Sequence, residues 1–171
     1  MNIMAIFKAS YTRTAAVAKG NIRYIENRPG KDGEKIIRTL YTWDGKIDRR
    51  DAYELIDEAE KGSYFFRLVV SPDPVKEDTN RDIYLRTVLE QTMRGIEDRI
   101  GTSIHWIAAN HQDHAPQRHM HILAILPRKL TRDDLFAGRS IATQAALDQR
   151  QEQDKMRGQQ QERGMAWERQ R

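Results

Sequence analysis

Two apolar stretches near the middle of the chain, residues 103–110 and 119–126, are separated by only eight mostly polar residues. Their β-branched and aromatic content is typical of strands, and so short a link favours an antiparallel hairpin. Within 119–126 both alternating faces are largely apolar, which predicts a strand that is covered on both sides. The pair therefore predicts a sheet-based fold with the second strand near its centre.

The rest of the chain alternates strand-like and helix-like segments. An Asp44-Gly45 turn and a Pro29-Gly30 stop mark two of the boundaries, and Thr14 is expected to cap the first helix. Strands are predicted at 4–10, 36–43 and 64–71, and helices at 15–27, 49–61 and 80–100. This order predicts an α+β fold with an antiparallel-rich central sheet and helices packed mainly on one face.

The composition changes near residue 130. Gln, Arg, Glu and Asp then dominate, and large apolar residues become scarce, most clearly beyond about residue 140. Residues 1–130 are therefore predicted to form a single domain, and residues 131–171 a polar tail that is helical or partly disordered.

Composition also limits the environment and the partners. The absence of cysteine excludes disulfides and iron–sulfur clusters. No apolar run approaches the ~20 residues of a membrane span, and the first residues lack a secretory signal pattern, so a cytoplasmic protein without membrane insertion is expected. Residues 1–50 hold eleven Lys or Arg against five Asp or Glu. This local excess of positive charge suits a nucleic acid or simply a soluble basic surface.

Histidines flank the link of the predicted hairpin. His119 and His121 share one face of their strand, and His111 ends the preceding strand, so the return of the chain brings all three together. Three imidazoles with open coordination positions are typical of a catalytic metal site. The sequence thus predicts one divalent ion, for which Mn²⁺, Zn²⁺, Ni²⁺ or Co²⁺ suits the nitrogen ligands better than Mg²⁺.

Three further residues belong to the same region. Asp113 is predicted to accept the outer N–H of a ligand histidine and to fix its tautomer. His114 lies in the link and is a lesser candidate ligand. His105 is six residues before His111, roughly 20 Å along a strand, and is not expected to be a ligand.

A candidate nucleophile lies upstream. Tyr24 points away from the apolar stripe of helix 15–27, and Arg23 and Arg28 are close to it in sequence or on its helix face. A tyrosine among cations suits attack on a phosphate. The alternative is a surface tyrosine whose hydroxyl is hydrated.

These motifs resemble those of the conjugative relaxases of the HUH endonuclease superfamily. His111-x-Asp113-x5-His119-x-His121 resembles their three-histidine motif, and Tyr24-Ile-Glu-Asn-Arg28 their tyrosine motif. Phe66-Arg-Leu-Val-Val-Ser71-Pro-Asp resembles the middle motif of the branch that includes the T-DNA border nuclease. The order of tyrosine, serine strand and histidines is that of the relaxases, with Tyr11 as the reserve nucleophile.

The resemblance implies a sequence-specific transesterification on single-stranded DNA at an origin of transfer. Tyr24 would form a 5′-phosphotyrosine, with the metal on the three histidines and Asp113 as a supporting catalytic residue. Arg23, Arg28 and Ser71 would contact DNA. Accessory relaxosome proteins and a coupling protein are the further partners that it implies.

Three alternatives remain open from the sequence. A rolling-circle replication initiator of the same superfamily would use the same chemistry, although its tyrosine usually follows the histidines. A metal-dependent hydrolase would use metal-bound water, with Tyr24 structural. A DNA-binding module with a structural metal would retain the ion and cleave nothing.

Overall fold

The computed structural model describes residues 4–112 and 117–169. Within them, six strands form one sheet and four helices pack against it. The strands are β1 (Ile6–Thr12), β2 (Leu40–Thr42), β3 (Gly45–Ile47), β4 (Tyr64–Ser71), β5 (His105–His111) and β6 (His119–Leu126). The helices are α1 (Ala15–Asn27), α2 (Arg49–Asp57), α3 (Leu85–Ile100) and α4 (Arg132–Glu168). The α+β class is confirmed.

The sheet has the strand order β1-β4-β6-β5-β2-β3, and all neighbouring strands are antiparallel. Strand β6 lies between β4 and β5, as its two apolar faces predict. In the β5–β6 hairpin His111 is directly opposite His119, and Ala109 is opposite His121. Because cross-strand partners share a face, this register brings the three imidazoles to one face of the sheet.

Helices cover both faces of the sheet, so the expectation that they pack mainly on one face is wrong. Leu123 and its alternate neighbours pack under α1 and α2, whereas Ile122 and its neighbours pack under α3 and α4. The physical reason lies in β6 itself, because two apolar faces must both be removed from water. Only the face under α1 carries the histidines.

The segment bounds agree best where apolar periodicity meets a clear stop. Helix α1 has the predicted bounds, but Thr14 makes no capping hydrogen bond through its side chain. The predicted strand at 36–43 is reduced to β2, which pairs with β3 through the expected turn. Helix α3 begins at Leu85, five residues later than predicted.

Helix α4 occupies most of the predicted tail in the helical form that was one of its two expected states, but its first half is packed rather than solvated. A capping box between Thr131 and Asp134 starts it. Its first half packs on α3, with Ala142, Ala145 and Ala146 buried in the core, so residues just beyond 130 are part of the folded body. From residue 151 onward the helix is exposed or half-buried. In the part of the chain that the structure describes, no helix combines the length and apolar character needed to cross a membrane.

Candidate metal and nucleophile site

The three predicted histidines converge at one end of the β5–β6 hairpin. One ligand nitrogen from each of His111, His119 and His121 lies within 4.8 Å of the other two. The ring centroids are 4.4 to 5.4 Å apart. An ion with tetrahedral bonds of ~2.0–2.1 Å requires nitrogens about 3.3 Å apart, so small ring rotations close the set around one metal.

Helix α1 holds His111 in place through its own backbone. The fully buried His111 ring forms a 2.8 Å hydrogen bond between Nε2 and the carbonyl oxygen of Ile25. This carbonyl is among the last four of α1, and the residue four positions on is Pro29, which has no N–H to donate. With Nε2–H donating to Ile25, the neutral imidazole carries its lone pair on Nδ1. A backbone carbonyl therefore fixes this ligand's tautomer.

His121 has the character of a metal ligand. Both of its ring nitrogens are buried and have no hydrogen-bond partner among the described residues. Burial lowers the pKa of His121 to about 3, and the charges of His111, His119, Arg28 and Arg67 add to this effect. Its imidazole is therefore neutral at physiological pH, and a buried polar ring without a partner is costly unless something coordinates it. The residues thus fit a divalent cation.

His119 enters the site from the link between the strands. Its Nδ1 lies 3.3 Å from the carbonyl oxygen of Gln117, which directs Nε2 away from that carbonyl. The predicted roles of Asp113 and His114 lie outside the described residues. His105 begins β5 opposite Ile125, at the other end of the hairpin, where it is exposed and remote from the three histidines.

Tyr24 lies beside the histidines. Its ring centroid is 6.1 Å from that of His121, with the rings nearly perpendicular, and the side chain is 42% exposed. Arg28 lies over the same tyrosine ring, 5.6 Å from its centroid. The tyrosine is thus open to a ligand and borders both the histidines and a cation. Tyr11 packs on Phe66, on the other face of the sheet.

Arg23 and Arg28, the two arginines predicted to contact DNA, point in different directions. Arg28 stays with Tyr24, whereas Arg23 turns toward α2, where its Nη1 lies 3.4 Å from the hydroxyl of Tyr53. Sequence reasoning did not assign a role to two other cations on the histidine face, Lys8 and Arg67. Both are exposed on strands β1 and β4.

The strand register places these cations beside the site. Lys8 is opposite Val69, which is opposite His121, so the three share one face across neighbouring strands. With strands ≈ 4.8 Å apart, the backbone of Lys8 is about 10 Å from that of His121. Arg67 is two residues from Val69 along β4 and therefore lies on the same face of the sheet. The strand at 64–71 was predicted from the sequence, but its pairing with β6 was needed to show which face Arg67 occupies.

Ser71 has a structural contact. It is buried at the end of β4, and its hydroxyl donates to the carbonyl of Arg118 at 3.3 Å. Arg118 in turn makes a bidentate, buried ion pair with Asp78, with both distances 2.7 Å. These contacts hold the residue that precedes His119. Neither Arg118 nor Asp78 was singled out from the sequence, because no local pattern distinguishes a buried ion pair from two surface charges.

Comparison of the chain with models of known protein families, with curated proteins and with solved structures gives no match. The chemistry of this site must therefore be inferred from its own side chains. They comprise three convergent imidazoles, an adjacent exposed phenol, and cations on the same face.

Proposed function

We propose that this protein nicks and rejoins single-stranded DNA at an origin of transfer, using Tyr24 as nucleophile and one divalent metal on His111, His119 and His121. The observation that carries the proposal is the position of the exposed Tyr24 ring 6.1 Å from His121, within a cationic face. A phenol is a weak nucleophile near neutral pH, with an intrinsic pKa of about 10, so it needs neighbours that favour its ionised form. Tyr24 borders the imidazole ligands and a cation, and its side chain is accessible to a ligand.

The proposed step is a transesterification. The Tyr24 oxygen forms a bond to the scissile phosphorus, and the bond between that phosphorus and the 3′ oxygen of the preceding nucleotide breaks. The phenolic proton is balanced by the proton that the released 3′ oxygen takes up, which leaves a 5′-phosphotyrosine and a free 3′-hydroxyl. One phosphodiester replaces another, so the reverse attack rejoins the strand without ATP.

The surrounding cations position the substrate. Arg28, next to the Tyr24 ring, is placed to hold the phosphate that is attacked, and charge-assisted contacts of this kind are the stronger class. Lys8 and Arg67, exposed on the same face, are placed to hold flanking phosphates. Arg23 and Ser71 are engaged elsewhere, with Tyr53 and with Arg118, and the proposal gives them no direct DNA contact.

The three histidines supply the metal site. When bound there, a divalent cation would polarise the scissile phosphate and stabilise the charge that develops on it. The Ile25 carbonyl orients His111, and because Ile25 follows Tyr24 in α1, the same helix positions a ligand and the nucleophile. Accessory relaxosome proteins and a coupling protein are the further partners of this proposal.

The decisive experiment is a denaturing gel of protein incubated with Mn²⁺ and labelled single-stranded oligonucleotides from the element that encodes it. Wild type should give a slowly migrating adduct that protease treatment removes. Tyr24→Phe should reduce the adduct at least about a thousandfold, since removal of a nucleophile abolishes covalent catalysis. Tyr84→Phe is the matched control, because Tyr84 is also exposed but lies before α3.

Each alternative gives a different gel. Cleavage without an adduct that survives in Tyr24→Phe would make water the nucleophile and contradict the proposal. An adduct lost in Tyr11→Phe but kept in Tyr24→Phe would move the nucleophile to the other tyrosine. Metal binding with DNA binding but no cleavage on any origin sequence would indicate a non-catalytic module.

A further inference from the structure

An aromatic and cationic surface lies at the far end of β1, which the proposed reaction does not use. Tyr11 and Tyr64 contact each other edge to face, with ring centroids 5.3 Å apart. Arg13 lies 4.1 Å from the Tyr64 centroid, and the Lys129 ammonium lies 5.3 Å from that of Tyr11. These four residues are called the tyrosine patch below.

The patch is more open than a core cluster. Tyr11 is 46% exposed although its ring rests on Phe66, and Arg13 and Lys129 are exposed. Exposed aromatic rings alongside cations are the chemistry with which proteins hold single-stranded nucleic acid, since rings stack on bases while cations pair with phosphates. Arg13 and Lys129 can move off the tyrosine rings at a small cost in free energy, because their cation–π contacts are at the surface.

The patch lies on the same edge strand as Lys8 but on the opposite face of the sheet, where Tyr11 packs on Phe66. From Lys8, in register with His121, to Arg13 is five residues, about 17 Å at the rise of an antiparallel strand. That length accommodates several nucleotides of an extended strand. Because β1 is the outermost strand, a DNA strand that passes around its edge can contact residues of both of its faces.

The two segments that contain β1 and β4 carry positively charged side chains and no negatively charged ones. The first 25 residues contain no Asp or Glu, and neither do residues 61–72, which include β4. A phosphate backbone that leaves Tyr24 along β1 therefore meets cations and no carboxylate of these segments, which favours a polyanion over other occupants.

We propose that the tyrosine patch is a second contact for the single-stranded DNA that flanks the nick, in which Tyr11 and Tyr64 stack on bases and Arg13 and Lys129 hold phosphates. This inference rests on the proposed function. It predicts that affinity depends on DNA length, because a short strand at Tyr24 cannot also reach the patch.

The test is fluorescence anisotropy of the full chain with labelled oligo(dT) of about 4 and about 20 nucleotides, lengths chosen to lie at the lower limit of one single-strand site and beyond its upper limit. Wild type should bind the longer probe at least about tenfold more tightly. Arg13→Glu with Lys129→Glu should remove that gain and lower the slope of log affinity against log salt by about 0.7 for each lost contact. Tyr11→Leu keeps an apolar side chain on Phe66, and its affinity for the longer probe should be about fivefold or more below that of wild type.

The matched control is Lys46→Glu with Arg50→Glu. It makes the same change in charge at exposed positions on β3 and α2, at the other edge of the sheet, and should shift the affinity for the longer probe less than about twofold. Melting curves of all variants check the fold.

The outcomes separate this inference from the proposed function. If wild type binds neither probe, the patch inference is overturned, whereas the proposed function is decided by the denaturing gel with origin oligonucleotides. If wild type binds both lengths equally, or the patch variants keep the gain for the longer probe, DNA binding stands and the patch inference is overturned. Binding of a labelled oligoglutamate peptide that the patch variants abolish, without any gain for longer DNA, would replace DNA by an acidic protein partner and also overturn it.

Discussion

Strand β5 carries a histidine at each end of the same face, and the two have opposite surroundings. His111 is fully buried, lies opposite His119 and is held by the Ile25 carbonyl. His105 is exposed, lies opposite Ile125, and lines three cavities of about 310, 370 and 440 Å³. These three cavities are therefore at the end without the histidine cluster. Residue type and cavity size do not identify the site, whereas convergence of ligands does.

Charge separates the two edges of the sheet, which end in β1 and in β3. Residues 41–60, which include most of β2 and all of β3 and α2, contain seven Asp or Glu and three Lys or Arg. Residues 1–25, which include β1 and most of α1, contain none of the acids and four of the bases. A phosphate is therefore attracted to the β1 edge of the sheet and repelled from the β3 edge, so the two edges can be tested against each other with matched charge variants.

The largest expected effect comes from removing one histidine at each end. His111→Ala should lower Mn²⁺ affinity at least about a hundredfold and adduct formation about a thousandfold, because it removes a ligand and the charge stabilisation that depends on it. His105→Ala should leave both within about twofold. Isothermal titration calorimetry measures the first quantity and the denaturing gel the second.

His121→Gln serves as a second variant, since a polar side chain of moderate size is less disruptive at a buried position than a cavity. Unchanged Mn²⁺ affinity in both triad variants would contradict the assignment of the metal site. Loss of affinity in His105→Ala would place a ligand at the wrong end of β5 and have the same consequence.

The next effect concerns ion pairs at the two ends. The pair between Asp78 and Arg118 beside His119 is buried, so Asp78→Asn should lower the free energy of unfolding by about 3–5 kcal/mol, because it leaves a guanidinium without its counter-charge. The pair between Arg86 and Glu90 at the His105 end is partly exposed, and Glu90→Gln should cost less than about 1 kcal/mol. Urea denaturation measures both, and equal costs would show that burial does not distinguish the pairs.

The sequence predicted the features that local patterns determine and missed those that depend on how elements pack together. The bounds of α1, β4 and β6 match the predictions because apolar periodicity and clear breakers determine them locally. The convergence of the histidines followed from hairpin geometry alone. The position of Tyr24 on α1 was predictable, but its distance from His121 was not, because that distance depends on how α1 crosses the sheet.

Other features depend on packing that no local pattern reveals. The first half of α4 is buried through Ala142 and its neighbours, whose small side chains give a weak hydrophobic signal. Lys8 and Arg67 acquire a role only when β1, β4 and β6 are aligned. The Ile25 carbonyl is a backbone atom, and its availability follows from Pro29 only once the end of the helix is known.

The smallest effect is a pH dependence that only the His111 end should show. The pKa of His121 in the folded protein is lowered to about 3 from 6.5, mainly by burial. Below pH 6.5 the unfolded chain therefore binds a proton that the native state does not, so without metal the free energy of unfolding falls as the pH falls, by at most about 1.4 kcal/mol per pH unit. Burial raises the pKa of Glu77 from 4.5 to about 7, which acts in the opposite direction between those pH values.

The Glu77→Gln background removes this opposing contribution and isolates the histidine. In that background and with a chelator present, we expect urea denaturation at pH 7 and pH 5 to show a loss of stability that His121→Gln abolishes and His105→Gln leaves unchanged. Equal slopes in the two histidine variants would mean that the two ends of β5 hold their imidazoles in equivalent surroundings. A slope confined to the His121 end would mean that folding keeps this imidazole neutral before any metal binds, so that the ion meets a ligand already in its coordinating form.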